Sequence, residues 1–99
     1  MARFDVFRAR AGGGYLLDCQ ADILRQLSTR FCVPLMPPAE APIAGERLNP
    51  EFQIAGEQVR MVTQFAGAIP IRELGPIVDN LANEQIAIMN ALDMLTTGY

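Results

Sequence analysis

The first two thirds of the chain consist of short runs in which hydrophobic and polar residues alternate. Residues 3–9 form one such run, and a second at 15–19 follows three consecutive glycines. This spacing predicts two strands joined by a flexible turn. The glycines match no phosphate-binding pattern, because neither GxGxxG nor GxxxxGK[ST] follows them.

A second pair of strands is the firmest local prediction. Residues 52–54 and 59–63 flank a four-residue segment that contains Gly56, which is typical of a β-hairpin. Residues 30–35 predict a further strand, which should lie at a sheet edge or stop at Pro34, since proline cannot donate to the hydrogen-bond ladder. Prolines then predict an irregular loop from residue 37 through Gly45.

Near the end of the chain the period of the pattern changes from strand to helix. Residues 69–71 predict a short edge segment, and Gly75-Pro76 should break the chain before a helix over 81–95, with Asn80 as its N-cap. Four residues at helical spacing are expected to face the sheet: Leu81, Ile88, Leu92 and Leu95. Three further apolar residues make this face wider than contact with the sheet alone requires: Ile86, Met89 and Met94. At the end of the chain, a partner contact is expected for four residues: Met94, Thr97, Gly98 and Tyr99.

The composition bounds the class of protein. The 99 residues form one domain, 1–99, in which 51% of residues are hydrophobic and 19% charged. A core this small cannot bury all of the hydrophobic residues, so apolar surface stays exposed and we expect a homodimer that covers it. The net charge of −3 provides no basic field for a nucleic-acid backbone, and direct nucleic-acid contact is not expected.

The residue types favour binding over catalysis. The chain has no His, Lys or Trp and a single Ser, so we expect no enzyme, no cofactor and no metal. Cys19 and Cys32 lack a CxxC partner and are predicted to be buried free thiols. No apolar run reaches the ~18 residues of a membrane span, and the first residues predict a strand instead of a signal peptide, so we expect a cytoplasmic protein.

These elements predict a mainly β fold with one C-terminal α-helix, arranged as a small antiparallel barrel. Several segments then resemble the CcdB toxin family in collinear order over essentially the entire chain. They are Phe4-Asp5-Val6-Phe7, Leu17-Asp18-Cys19-Gln20-Ala21-Asp22-Ile23-Leu24, Val33-Pro34-Leu35, Leu48-Asn49-Pro50, Arg60-Met61-Val62-Thr63, Ile69-Pro70, Leu74-Gly75 and the helix ending in Gly98.

This resemblance implies an SH3-like barrel with a smaller accessory sheet and a symmetric homodimer. It also implies a toxin of a type II toxin–antitoxin module, which binds the A subunit of DNA gyrase and traps it on cut DNA. A cognate CcdA-type antitoxin would remove the toxin, and the two proteins together would repress their operon.

The resemblance also implies a gyrase-binding set at the tip of the last helix and on an early loop. That set is Ile23, Leu24, Asp93, Thr96, Thr97, Gly98 and Tyr99. Gly98 and Ile23 match the family pattern, and Leu24 and Tyr99 are apolar or aromatic replacements. Three positions depart from the family, because Thr97, Thr96 and Asp93 stand where it has Trp, Phe and Asn.

The antitoxin-binding set implied by the resemblance overlaps this one and comprises Asp18, Asp22, Ile23, Thr97 and Gly98. An acidic groove containing Asp18 and Asp22 suits a basic or amphipathic antitoxin tail. The alternative interpretation is that both carboxylates are solvated loop acids.

Two other functions stay open from the sequence. The loss of Trp at position 97 fits a non-toxic or retargeted homologue that only binds antitoxin. A ribonuclease of the same fold is the second alternative, although only Arg and carboxylates could supply its chemistry.

Overall fold

Seven antiparallel strands and a C-terminal helix make up the described part of the chain, residues 1–42 and 45–98 of a computed structural model. The strands curl into a partly closed barrel in the order β4-β5-β3-β2-β1-β7, with β6 paired to β3. The bounds are β1 Asp5–Ala9, β2 Tyr15–Asp18, β3 Thr29–Met36, β4 Glu51–Ile54, β5 Glu57–Met61, β6 Gly67–Pro70, β7 Leu74–Asn80 and α1 Gln85–Thr97. The predicted fold class is confirmed.

Both predicted hairpins are present. Strands β1 and β2 pair antiparallel across the glycine turn, in which Gly12, Gly13 and Gly14 all have positive φ. Strands β4 and β5 are joined by Ala55 and Gly56, with φ of 52° and 82°. Two central residues with positive φ form the turn type whose twist matches that of the flanking strands. The hairpin of β4 and β5 continues the main sheet from the end of β3.

Pro34 does not end its strand or place it at an edge, so this prediction is wrong. It lies inside β3, which pairs with β2 on one side and with β6 and then β5 on the other. The Pro34 carbonyl accepts a hydrogen bond from the Val62 N–H (2.9 Å), so the missing proline N–H faces the same side. On that side, pairing with β6 reaches residue 32 and pairing with β5 begins at residue 35. The proline therefore lies where β3 changes partner and no ladder hydrogen bond is lost.

Gly75-Pro76 does not break the chain, contrary to the prediction. Both residues belong to β7, an edge strand that pairs with β1 through two register shifts. A Cβ at position 75 would lie 2.3 Å from the Arg8 carbonyl oxygen, so only glycine permits this close approach. Proline is tolerated next to it because one side of an edge strand has no ladder partner. In the proline loop predicted through Gly45, residues 37–42 have no regular structure, and residues 43 and 44 lie outside the described residues.

The helix begins four residues later than predicted and ends two residues later. A 3-10 turn, Ala82–Glu84, precedes it, and the Asn80 Oδ1 accepts the Ala82 N–H (2.8 Å). The N-cap of that turn is Leu81 and the N-cap of α1 is Glu84, so the prediction of Asn80 as the N-cap of the helix is wrong. At its other end α1 closes on Gly98, which has φ of 80° and donates its N–H to the carbonyls of Asp93 and Met94. In the described residues no helix is long and apolar enough to cross a membrane.

The two faces of the sheet carry separate hydrophobic clusters. The larger cluster includes Val6, Leu17 and Ile54 and is covered by α1, which buries Ile88 and Ala91 and packs Leu92 at its margin. Phe7, Cys32 and Leu74 form the smaller cluster on the opposite face. Leu95, expected to face the sheet, is 42% exposed because the helix extends beyond its packing surface from residue 93 onward.

The cysteines are buried free thiols, as predicted. Cys19 belongs to the larger cluster and Cys32 to the smaller, so their side chains point to opposite faces of the sheet. A disulfide needs Cβ atoms that face each other, so these two residues cannot be bridged without rebuilding the sheet. Burial, followed by the charges of neighbouring groups, raises the pKa of each thiol to about 12.

We expect both thiols to resist alkylation in the native protein. Only the thiolate reacts, and with a pKa of about 12 its fraction becomes appreciable only as the pH approaches that value. At pH 8, iodoacetamide should modify either cysteine more than ~100-fold more slowly than an exposed thiol introduced by Ser28→Cys. Mass spectrometry measures both rates. Equal rates for native and introduced thiols would contradict the buried assignment, and urea should remove the difference.

Two isoleucines on α1 provide a matched test of its buried face. Ile88 is 0% exposed and Ile86 is 80% exposed. Ile88→Ala should lower the free energy of unfolding by ~2–5 kcal/mol because it leaves a cavity in the larger cluster. Ile86→Ala should change it by less than ~0.5 kcal/mol. Urea denaturation followed by circular dichroism measures both, and equal losses would show that the helix face is wrongly assigned.

Candidate functional site

Two exposed segments carry the residues expected to contact partners. The first is a 3-10 turn, Asp22–Leu24, with the residues that follow it. Its apolar side chains point into solvent, since Ile23 is 86% exposed, Leu24 47% and Leu27 49%. The second is the end of α1, residues 93–98, all of which are exposed. Apolar groups exposed this fully without a role in the core are typical of a binding surface.

Beneath the early turn lies a buried ion pair between β2 and β3. The Arg30 Nε donates to the Asp18 Oδ2 (2.8 Å), and Arg30 Nη2 lies 2.6 Å from the same oxygen. Both side chains are fully buried. The other oxygen, Asp18 Oδ1, accepts the Gln20 N–H (2.9 Å). Both carboxylate oxygens of Asp18 therefore already accept hydrogen bonds from groups of the same chain.

Gln20 connects the buried ion pair to the exposed turn. Its Nε2 donates to the Leu24 carbonyl (2.9 Å), and its Oε1 accepts the Phe31 N–H (3.0 Å). The amide therefore connects the turn to the start of β3. The network fixes the backbone that displays Ile23, although neither Gln20 nor Arg30 was a predicted site residue. The available signal was an arginine in a strand pattern that is otherwise apolar at alternate positions.

Asp18 differs from its expected role as a surface acid. Its 0% exposure leaves no atom for direct contact with an antitoxin, because Arg30 and the Gln20 N–H already occupy the carboxylate. Asp22 is exposed as expected, and its Oδ1 accepts the Arg3 N–H (2.7 Å). Of the two predicted acids, only Asp22 is accessible at the surface.

Arg3 connects the early turn to the helix. Its Nε donates to the Cys19 carbonyl (3.4 Å), and its Nη2 contacts the Met89 sulfur (3.2 Å). The early turn is therefore tethered at the middle of α1. Thr97 lies eight residues further along, about 12 Å at 1.5 Å per residue. Within the described chain no hydrogen bond joins residues 22–27 to residues 93–98, and we refer to these two segments as the two patches.

The helix tip carries hydroxyls and a negative charge beside the exposed apolar side chains of Met94 and Leu95. The hydroxyls of Thr96 and Thr97 donate back to the carbonyls of Leu92 (3.0 Å) and Asp93 (2.7 Å). No basic residue lies in the last turn, so the carboxylate of Asp93 adds to the negative end of the helix dipole. This tip favours a cationic or hydrogen-bond-donating partner. Tyr99, predicted to supply an aromatic contact, lies outside the described residues.

The arrangement offers surfaces for binding and little for covalent chemistry. The two patches contain apolar side chains, hydroxyls, carboxylates, the amide of Gln26 and the guanidinium of Arg25, and their sequence provides no thiol or imidazole. In residues 1–42 and 45–98 no cluster of three or more His, Cys, Asp or Glu side chains is arranged to hold a metal ion. What the site can do is present an apolar turn and an acidic helix tip to another macromolecule.

Known structures share this fold. One is described as an endoribonuclease in complex with its cognate antitoxin from a mycobacterial species. It is 14% identical, with a TM-score of 0.77 over 95% of this chain and 92% of that one. Another is the Mycobacterium tuberculosis toxin MazF-mt6, 16% identical, with a TM-score of 0.73 over 90% and 92%. At this identity the likeness defines the fold class alone, the small β-barrel of these toxins.

The family of the chain is shown by a match to its sequence. The model of the CcdB protein family matches residues 3–98, and the chain belongs to that family. No curated protein matches the chain. The resemblance noted from short segments is thereby confirmed over nearly the full sequence.

Two acid-to-amide substitutions compare the buried pair with an exposed one. Asp18→Asn leaves Arg30 as an uncompensated buried charge and should lower the free energy of unfolding by ~3–5 kcal/mol. Glu51→Gln, which weakens the exposed pair with Arg60, should leave it nearly unchanged. Urea titration measures the difference. Below the denaturation midpoint, the amide signals of residues 22–27 should also shift in the Asp18 variant. Similar losses from both substitutions would contradict the structural role of Asp18.

Proposed function

We propose that this chain is the toxin of a type II toxin–antitoxin module and that it poisons DNA gyrase by binding its A subunit. The observation that carries the proposal is the family match over residues 3–98, combined with the exposure of the early turn and the helix tip. These are the two segments at which the resemblance places gyrase contacts. Because gyrase acts on the chromosome, the proposal assigns the protein to the cytoplasm.

A poison of this kind works by binding alone. It stabilises one conformation of its target, here gyrase holding cleaved DNA, and its effect is set by differential affinity for that state. No general base or nucleophile is required, and the protein is not an enzyme in this proposal. A symmetric homodimer would present two helix tips to a two-fold target at once. The composition supports a dimer, since a chain of 99 residues that is 51% hydrophobic leaves apolar surface uncovered once its small core is filled.

Neutralisation by a cognate antitoxin fits the charge of the exposed surface. Asp22 on the early turn and Asp93 on the helix tip are accessible, and the protein carries a net charge of −3. Complementary charge on a basic or amphipathic antitoxin tail would accelerate its association and select it over acidic competitors. The same surface would then be withdrawn from gyrase. In this proposal toxin and antitoxin also repress their operon together, with DNA contact supplied by the antitoxin.

A homologue that binds antitoxin without poisoning gyrase is the second candidate. It is favoured by Thr97, which stands at the family's Trp position and uses its hydroxyl on the Asp93 carbonyl. A single aromatic anchor can contribute ~2–4 kcal/mol at an interface, so its replacement removes a large part of the expected affinity. The ribonuclease alternative has less support. The likeness to an endoribonuclease is one of fold, and an acidic protein without His or Lys repels RNA.

A plasmid cleavage assay with gyrase from the native host tests the proposal. The dimer should yield linear DNA after detergent and protease treatment, and deletion of residues 98–99 should abolish that product. Thr97→Trp restores the family's aromatic anchor and should raise the linear fraction ~10-fold or more at limiting toxin. Gln53→Ala, an exposed change on β4, is the matched control and should leave cleavage unchanged.

The outcomes separate the candidates. Absence of linear DNA with both the native chain and Thr97→Trp, from protein that is folded and dimeric, would contradict gyrase poisoning. Cleavage by Thr97→Trp alone would identify the native chain as the antitoxin-binding homologue. Degradation of a defined RNA by nuclease-free protein would instead establish an enzyme.

A further inference from the structure

An open cleft lies on the sheet face opposite α1, beside the smaller hydrophobic cluster. It encloses about 530 Å³ and is separate from the early turn and the helix tip. Its floor is the sheet surface of Leu16, Pro34 and Met36. One wall is the glycine turn after β1, and the other is the segment that runs from β6 into β7. The volume lies within the ~300–1,000 Å³ usual for small-molecule sites.

The frame of the cleft is held by backbone hydrogen bonds. The Ala9 N–H donates to the Gly14 carbonyl (3.1 Å) and closes the glycine turn. The Arg10 N–H donates to the Glu73 carbonyl (3.3 Å) and ties one wall to the other. Since the glycine wall carries no side chains, it leaves the space open instead of filling it. The apolar floor is thus kept uncovered by a fixed backbone arrangement.

The rim of this cleft is more positive than the protein as a whole. Arg10 and Arg72 line it together with one acid, Glu73, whereas the whole chain has a net charge of −3. The Arg10 Nε donates to the Leu74 carbonyl (3.0 Å), which orients the guanidinium and leaves its terminal amino groups available. In the described residues neither Arg10 nor Arg72 forms an ion pair, unlike Arg30 and Arg60.

We propose that this cleft binds a small monoanion with an apolar body, such as a free carboxylate or sulfonate attached to an aromatic group. The apolar body would cover the sheet floor, and its charge would be met by the two guanidinium groups, which suit planar anionic oxygens. The residual charge of +1 from two arginines and one glutamate matches a monoanion. This inference does not depend on gyrase or antitoxin binding.

A pair of fluorescent probes with the same apolar body tests the charge requirement. The probe 1-anilinonaphthalene-8-sulfonate carries one negative charge, and N-phenyl-1-naphthylamine is its neutral counterpart. The native 99-residue chain should bind the sulfonate in a 1:1 complex and the neutral probe at least ~10-fold more weakly. In two-dimensional NMR, the sulfonate should shift the amides of Gly12, Gly13 and Gly14, while Gly98 should stay in place.

Charge substitutions on exposed side chains then locate the site without threatening the fold. Arg72→Gln and Arg10→Gln should each weaken sulfonate binding ~5-fold to 10-fold, and Glu73→Gln should strengthen it. Arg47→Gln makes the same charge change at an exposed position that does not line the cleft and is expected to have less than a ~2-fold effect. Circular dichroism confirms that each variant is folded.

Several results would overturn the proposal. Equal affinity for both probes, or equal effects of the changes at positions 72 and 47, would exclude an anion site in the cleft. Amide shifts confined to Ile23 or Gly98 would place the probe on the early turn or the helix tip instead. Loss of sulfonate binding as the protein associates in sedimentation experiments would assign the cleft to a second copy of the chain.

Discussion

The buried ion pair of Asp18 and Arg30 is the constraint on which the arrangement of the candidate surface depends. Removing two charges from water is costly unless they are paired, and here one carboxylate serves a guanidinium and a backbone N–H. The match is complete on the carboxylate side only, because the two terminal nitrogens of the Arg30 guanidinium are buried without a hydrogen-bond partner among the described residues. Through Gln20 the same pair fixes the turn that displays Ile23 and Leu24. A group with no surface of its own therefore determines the shape of a surface that partners would meet.

The two faces of the sheet differ in what covers them. The larger cluster binds α1 and supplies most of the stability, while the helix continues past it and leaves its last residues free for contact. The opposite face buries only a small cluster and is otherwise open beside the glycine turn. Arg3 connects the early turn to α1 at Met89, so the two exposed patches share one scaffold without touching through hydrogen bonds.

Local signals in the sequence were sufficient for the elements that depend on neighbours in the chain. The hairpin at Ala55-Gly56, the glycine turn and the terminal helix follow from turn chemistry and periodicity. The failures at Pro34 and Gly75-Pro76 have a common cause, because the effect of proline depends on which side of a strand lacks a partner, and that is decided by distant strands. The expectation that Asp18 lies at the surface came from the family resemblance, and local sequence could not correct it because its partner Arg30 lies on another strand. The exposure of Ile23 and Gly98 agrees with the surface expected from the family resemblance. The macromolecules that bind this surface are proposed.

The exposed tip of α1 has a consequence for how such a protein can change over generations. Thr96 and Thr97 bond only to carbonyls one turn back, and their side chains take no part in either cluster. Replacing them should therefore leave the folding free energy almost unchanged. If the helix tip contacts partners as proposed, stability and specificity are encoded in different residues, and a lineage could exchange one target for another without passing through unfolded intermediates.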